Sequence, residues 1–191
     1  ITMLLFLSGC DLNYKVVINK DLTTNEELNI TVDNNLIEEM TEKYGDDYIN
    51  ENINQYKTYF EGNNYTFKYS KGDNIIGSAT KKNKEFYINE RIIKGKYNYY
   101  DFSCNNKYCF LYAVADNNII SGDGSGYDMK LSIQVPYKVI ENNADEVDKI
   151  NNIYTWYSKS TNDNKDIELL FYKTGKDVIK QNRILYFIII G

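Results

Sequence analysis

Apolar and polar positions alternate with a period of two along most of the chain, and twice the period lengthens to that of a helix. Tyr14, Val16 and Ile18 alternate with Lys15 and Asn19, and Leu28, Ile30 and Val32 alternate with Asn29, Thr31 and Asp33. Each stretch predicts a half-buried strand, and the two are close enough to form a hairpin. Asn35 then precedes an apolar set at Leu36, Ile37, Met40 and Tyr44, with Glu38 three positions on and Gly45 just past the end. This spacing predicts a capped amphipathic helix. A second helical stretch from Asp46 puts Ile49, Ile53, Tyr56 and Phe60 on one face.

From Tyr65 onward the period is again two. Tyr65, Phe67 and Tyr69 predict a strand, Phe86 and Ile88 a shorter one, and segments 97–102 and 110–115 a pair. Met129, Leu131, Ile133 and Val135 share one face of the most regular strand, and Pro136, which cannot donate to a ladder, ends it. Ile153, Thr155 and Tyr157, and then Ile167, Leu169 and Phe171, predict two strands long enough to pair with it. The fold class predicted is α+β: a curved, mostly antiparallel β-sheet packed against one or two amphipathic helices.

Composition narrows the chemistry. The chain has 191 residues, enough for one domain with a sizeable core. The absence of His removes His-based acid/base relays, His-paired nucleophiles and His-ligated zinc. A net charge of -5 argues against nonspecific nucleic-acid binding, whose affinity comes from neutralising phosphates. Ser121-Gly122-Asp123-Gly124-Ser125-Gly126 lacks the order of a phosphate-binding loop and reads as a turn. The Asp residues at 116, 123 and 128 do not follow the calcium-loop pattern. No metal or cofactor is expected. Nominal carboxylate pairs (Glu38 with Glu39, Asp46 with Asp47, Asp123 with Asp128) are adjacent or near-adjacent in sequence, and such residues seldom converge across a cleft, so no enzymatic activity is expected.

The two ends suggest an envelope protein. Leu4-Leu5-Phe6-Leu7-Ser8-Gly9-Cys10 reads as the end of a signal peptide closing in a lipobox, with Cys10 as the lipidated residue. The alternative is a buried N-terminal strand or helix with an incidental cysteine. Ile184-Leu185-Tyr186-Phe187-Ile188-Ile189-Ile190 reads as the start of a transmembrane helix, or else as a strand or helix closing the core. The organisation expected is thus 1–10 signal end and lipobox, 11–173 an extracytoplasmic domain, 174–183 a short stalk and 184–191 a membrane segment. Membrane lipid would be engaged through Cys10 and a C-terminal helix. The remaining cysteines, Cys104 and Cys109, flank four residues centred on Asn105-Asn106, and a hairpin there would bring them within disulfide reach.

The order of lipobox, first hairpin, helix from Leu36, and then Val135-Pro136-Tyr137-Lys138-Val139-Ile140-Glu141-Asn142-Asn143 followed by Tyr154-Thr155-Trp156 and Ile167-Glu168-Leu169 resembles the LppM-type lipoprotein family. The resemblance spans nearly the whole chain. It implies an α+β domain on the extracytoplasmic face of a bacterial cell membrane, with no catalytic residues to carry over and a lipid or glycolipid as ligand. A groove between sheet and helix, rimmed by Trp156, Tyr154, Tyr137, Tyr59 and Phe60, is the candidate binding site, although each of these aromatics also fits a place in the core. The alternative function is an envelope protein-interaction or scaffold domain, which a filled core and an exposed flat aromatic patch would favour. The abundance of Asn, Lys, Ile and Tyr suggests an AT-rich, Gram-positive source.

Overall fold

The structure, a computed structural model, describes residues 10–72, 74–93, 96–116, 128–159 and 164–175. Its elements run β1 (Cys10–Ile18), β2 (Thr24–Val32), α1 (Asn34–Tyr44), α2 (Asp46–Gly62), β3 (Thr66–Lys71), β4 (Ile75–Lys82), α3 (Glu90–Ile93), β5 (Tyr97–Cys104), β6 (Tyr108–Ala115), β7 (Asp128–Gln134), β8 (Val139–Asn142), β9 (Glu146–Asp148), β10 (Ile153–Ser158) and β11 (Ile167–Tyr172).

The strands divide between two sheets. A seven-stranded sheet has the order β3-β4-β2-β1-β7-β10-β9, and a four-stranded sheet the order β5-β6-β11-β8. The α+β class therefore stands, but the expectation of one curved sheet is corrected. Bulges bend strands and help a sheet curl, and every pairing in the larger sheet runs in unbroken register. The register shifts fall in the smaller sheet, between Tyr97 and Tyr99 and between Leu170 and Phe171. Neither strand order closes on itself.

The first hairpin pairs Cys10 with Val32 through to Ile18 with Thr24. Beside it β1 runs parallel to β7, Leu12 opposite Met129 and Val16 opposite Ile133. Of the two later strands expected to flank β7, only β10 does so; β11 pairs instead with β6 and β8. Segment 83–89 forms no strand: Phe86 instead stacks on Phe102 with ring centroids 3.6 Å apart.

α1 starts two residues earlier than its sequence suggests. Asp33, in an extended conformation, accepts from the Asn35 backbone N–H at 2.8 Å, and the Asn34 side chain, rather than Asn35, meets Glu38. Asp fills an N-cap as well as Asn does. Gly45, with φ +88° and ψ +164°, makes the turn between the helices in a backbone conformation open essentially to glycine. α2 then lays Ile49 and Phe60 into the core.

The inner faces of both sheets and α2 share one hydrophobic cluster, with Tyr14, Val16, Leu28, Leu131, Ile133, Trp156, Leu111, Leu169 and Phe171 among its members. At roughly 25 cal/mol for each Å² of apolar surface removed from water, such side chains supply most of the drive to fold.

The anchor expectations are corrected in part. Cys10 opens β1, with its backbone opposite Val32. The described helices occupy residues 34–62 and 90–93 and none lies at the C-terminal side, so attachment to membrane lipid through Cys10 and a C-terminal helix is not what the fold presents. Among the described residues no helix is long and apolar enough to cross a membrane, so the expected transmembrane helix has no counterpart there, and its segment, 184–191, lies outside them. Segments 1–9 and 176–191, and the Gly-rich run 121–126, lie outside the described residues.

Candidate functional site

The aromatics proposed as a groove rim fall into separate places. Trp156 and Tyr154 stand on the inner face of β10, 1 % and 6 % exposed. The Trp156 indole N–H donates to Asn143 Oδ1 at 2.8 Å, and the Tyr154 hydroxyl donates to Asn152 Oδ1 at 3.2 Å. Tyr137 is half-buried beyond β7, in the turn that Asn152 holds by donating from Nδ2 to the carbonyls of Val135 and Tyr137. Phe60, 2 % exposed, packs at the far side of the same sheet against Tyr65 and Phe67, with half-buried Tyr59 beside it. Four strands separate β3 from β10, a distance of about 24 Å at ordinary strand spacing.

Between α2 and the sheet lies a cleft of about 40 Å³, lined by Ile30, Val32, Ile49, Ile53, Phe67 and Ile75 among others. Phe67 fills part of it by lying over Gly77, where an added Cβ would stand 3.4 Å from the ring. A volume of this size suits one or two waters or a methyl group.

Sequence reasoning did not single out the buried Glu26. Its carboxylate, on the inner face of β2, accepts from the Tyr14 hydroxyl, from the Tyr65 hydroxyl at 2.8 Å and from Asn83 Nδ2 at 2.6 Å. The Asn89 backbone N–H points at the same group, 3.2 Å from Oε2 and 2.8 Å from the Tyr14 oxygen. Burial first, and the Glu26 charge second, push the hydroxyls of Tyr14 and Tyr65 well above the usual phenol range. Lys81, opposite Glu26 in register, lies over the rings of Tyr65 and Tyr87 at 5.1 and 4.6 Å. The signal was in the sequence: Glu26 stands in phase with Thr24, Leu28, Ile30 and Val32. Of the nominal carboxylate pairs, Glu38, Glu39, Asp46 and Asp47 are all exposed on the helices, and Asp123 lies outside the described residues. The Glu26 carboxylate is thus met by donors from four residues, and among the described residues no second carboxylate is hydrogen-bonded to it.

The outer face of the four-stranded sheet is different. Alternation along β6 buries Cys109, Leu111, Ala113 and Ala115 and turns Tyr108, Phe110, Tyr112 and Val114 outward. β5 turns out Tyr99, Asp101 and Ser103, and β11 turns out Glu168, Leu170 and Tyr172. Register places Tyr172 beside Tyr108, Ser103 and Leu170 on either side of Phe110, and Asp101 and Glu168 on either side of Tyr112. Tyr108 and Tyr172 have ring centroids 5.4 Å apart, and Phe110 stacks with Tyr112 at 6.0 Å. The Tyr112 hydroxyl donates to Asp166 Oδ2 at 3.2 Å, which holds its proton on and raises its pKa. Phe110 remains 37 % and Tyr99 56 % exposed. The disulfide Cys104–Cys109 crosses from β5 to β6 at the end of this sheet and fixes their register there. Among the described residues no group of three or more Cys, Asp or Glu is placed to hold a metal ion.

No protein-family model matches the chain, and no curated protein is significantly similar to it in sequence. Among solved structures, the folded domain of Mycobacterium tuberculosis LppM, determined by NMR, superposes with a TM-score of 0.57 at 11 % identity, over 87 % of this chain and 91 % of that one. The chain thus shares its fold with the LppM folded domain.

Proposed function

We propose that this chain is a non-enzymatic, extracytoplasmic binding domain of a bacterial cell envelope, and that it meets its partner on the outer face of the four-stranded sheet. The observation that carries this reading is the contrast between a filled interior and an exposed aromatic face. The Phe110–Tyr112 column stands outward on the four-stranded sheet, whereas the cleft under α2 measures about 40 Å³. A contiguous apolar patch left outward is a mark of an interaction site. The compartment is supported by the fold shared with the LppM domain and by the Cys104–Cys109 disulfide, a bond that persists in oxidising environments.

A second reading, a lipid or glycolipid held under α2, is favoured by the apolar lining of that cleft. It requires α2 to swing away from Phe67 and Gly77, because an acyl chain needs several times the present space. Native mass spectrometry of the 191-residue chain after incubation with a total bacterial lipid extract tests the choice. The surface reading expects no lipid retained in stoichiometric amount. A retained lipid, lost on Ile53→Trp substitution inside the cleft, would replace it with the second reading.

A further inference from the structure

We infer that the partner of the four-stranded sheet's outer face is an extended polypeptide segment in which a Lys or Arg stands two residues from an apolar side chain. The inference rests on the surface reading above and names its partner class. Charge complementarity carries it. Tyr112 has Asp101 and Glu168 as its cross-strand neighbours and Asp166 at its hydroxyl, so three carboxylates surround one outward ring. Directly opposite residues in a sheet stand roughly 5 Å apart at Cβ, so Asp101 and Glu168 flank Tyr112 about 10 Å apart, and an ammonium or guanidinium over the ring lies between them. The outward positions of β5, β6 and β11 include no Lys or Arg. A cation over such a ring is attracted by the π face and by the carboxylates together, and the rim of the same column already illustrates the contact: Lys107 Nζ lies 5.0 Å from the Tyr108 ring centroid.

The spacing selects a polypeptide over a small amine or a metal ion. The outward column of β6 runs from Tyr108 to Val114, about 20 Å at strand rise, longer than any single ammonium head group. The carboxylate row at Tyr112 is followed two residues along by the apolar row of Phe110 and Leu170. An extended chain repeats its side chains at the same interval, so a basic residue over Tyr112 places an apolar one over Phe110. The carboxylates do not converge as metal ligands.

The test uses a nine-residue peptide with lysine and valine alternating at odd positions and threonine between them, and counterparts with glutamate or threonine in place of lysine. Each is titrated into the isotopically labelled 191-residue chain and followed by amide chemical shifts at low and high salt. The lysine peptide is expected to give saturable shifts confined to β5, β6 and β11, with affinity falling about tenfold between 25 mM and 500 mM NaCl as the charges are screened. The double substitution Asp101→Asn with Glu168→Gln, both exposed and leaving the fold's melting temperature unchanged, should weaken it about fivefold. Absence of shifts on this face, or affinity unchanged in the double variant, overturns the inference. Equal binding of the glutamate or threonine peptide at the same residues overturns the basic partner while leaving the surface reading in place. Lipid retention together with no peptide binding removes both.

Discussion

The Trp156 indole and the Asn143 side chain are joined by a 2.8 Å hydrogen bond that ties the two sheets together. Asn143 lies where the chain leaves β8 of the smaller sheet for β9 of the larger. Its Oδ1 also accepts from the Glu168 N–H of β11 at 3.0 Å, its Nδ2 donates to the Asp166 carbonyl at 2.8 Å, and its backbone N–H donates to the Glu168 carbonyl at 3.2 Å. One amide thus satisfies polar groups of both sheets where they meet. Asn143→Ala is expected to cost about 2–4 kcal/mol, since it strips three side-chain bonds and leaves a buried indole N–H without its acceptor. Urea denaturation followed by Trp156 fluorescence measures this; a loss under 1 kcal/mol would mean that the sheets hold together without the amide.

Glu26 makes the second polar joint, between β1, β2 and the segments carrying Tyr65, Asn83 and Asn89. Glu26→Ala removes the common acceptor of two phenols and an amide inside the core, and is expected to cost about 3–5 kcal/mol. Tyr65→Phe, which leaves Glu26 its other donors, should cost less, about 1–2 kcal/mol. Thermal unfolding of the pair checks the order; equal effects would contradict a shared network.

The buried tyrosines set an alkaline limit. Burial pushes the Tyr97 hydroxyl, bonded to Ser158 Oγ at 3.0 Å, up to about 12, and the hydroxyls of Tyr14 and Tyr65 are raised as well. A folded pKa above the unfolded value of about 10 favours the neutral form in the folded state. The stability is therefore fully present below pH of about 10 and is lost as pH climbs toward about 12, by about 3 kcal/mol for Tyr97 alone. Lys96, whose ammonium is pushed down by burial and partly restored by Asp128, works in the opposite sense and softens the onset. Absorbance at 295 nm and circular dichroism, recorded together against pH, should show these phenols ionising only as the fold is lost. Tyr97→Phe should move the midpoint upward.

Reduction of Cys104–Cys109 should cost little. The bridge closes a loop with a sequence separation of 5, which limits its effect on the unfolded chain to about 2 kcal/mol. Cys109 is fully buried, so reduction should also be slow under native conditions. Stability measured with and without reductant gives the difference, and complete unfolding on reduction at room temperature would show that the hairpin depends on the bond.

Local pattern disclosed much of this architecture. The alternation of Leu28, Ile30 and Val32, and of Met129, Leu131 and Ile133, reads directly as strands because each has one buried and one wetter side. The same pattern cannot say which strands become neighbours, so β11 was matched to β7 when its partners are β6 and β8. Nor can periodicity separate a core aromatic from a groove aromatic: Trp156 and Phe60 occupy inward positions in either case. Segment 110–115 reads as a strand, but which of its faces is outward, and that Asp101 and Glu168 stand beside Tyr112, follow only from burial and register. Phe86 and Ile88 show the remaining ambiguity, since two apolar residues two apart can plug a core from a loop as well as from a strand.

The parallel pairing of β1 with β7 also fixes when the molecule can be completed. Strand β1 has β2 on one side and β7 on the other, and the latter lies more than a hundred residues downstream. Until the chain has been made, and, if exported, passed across the membrane, as far as Gln134, one edge of the N-terminal hairpin stays open to any other strand. Pairings of such long range form slowly because the intervening chain must first be brought round. The interval between synthesis of Ile18 and arrival of Met129 thus leaves a strand edge uncovered, and a holding chaperone acting in that interval would shield it from other chains.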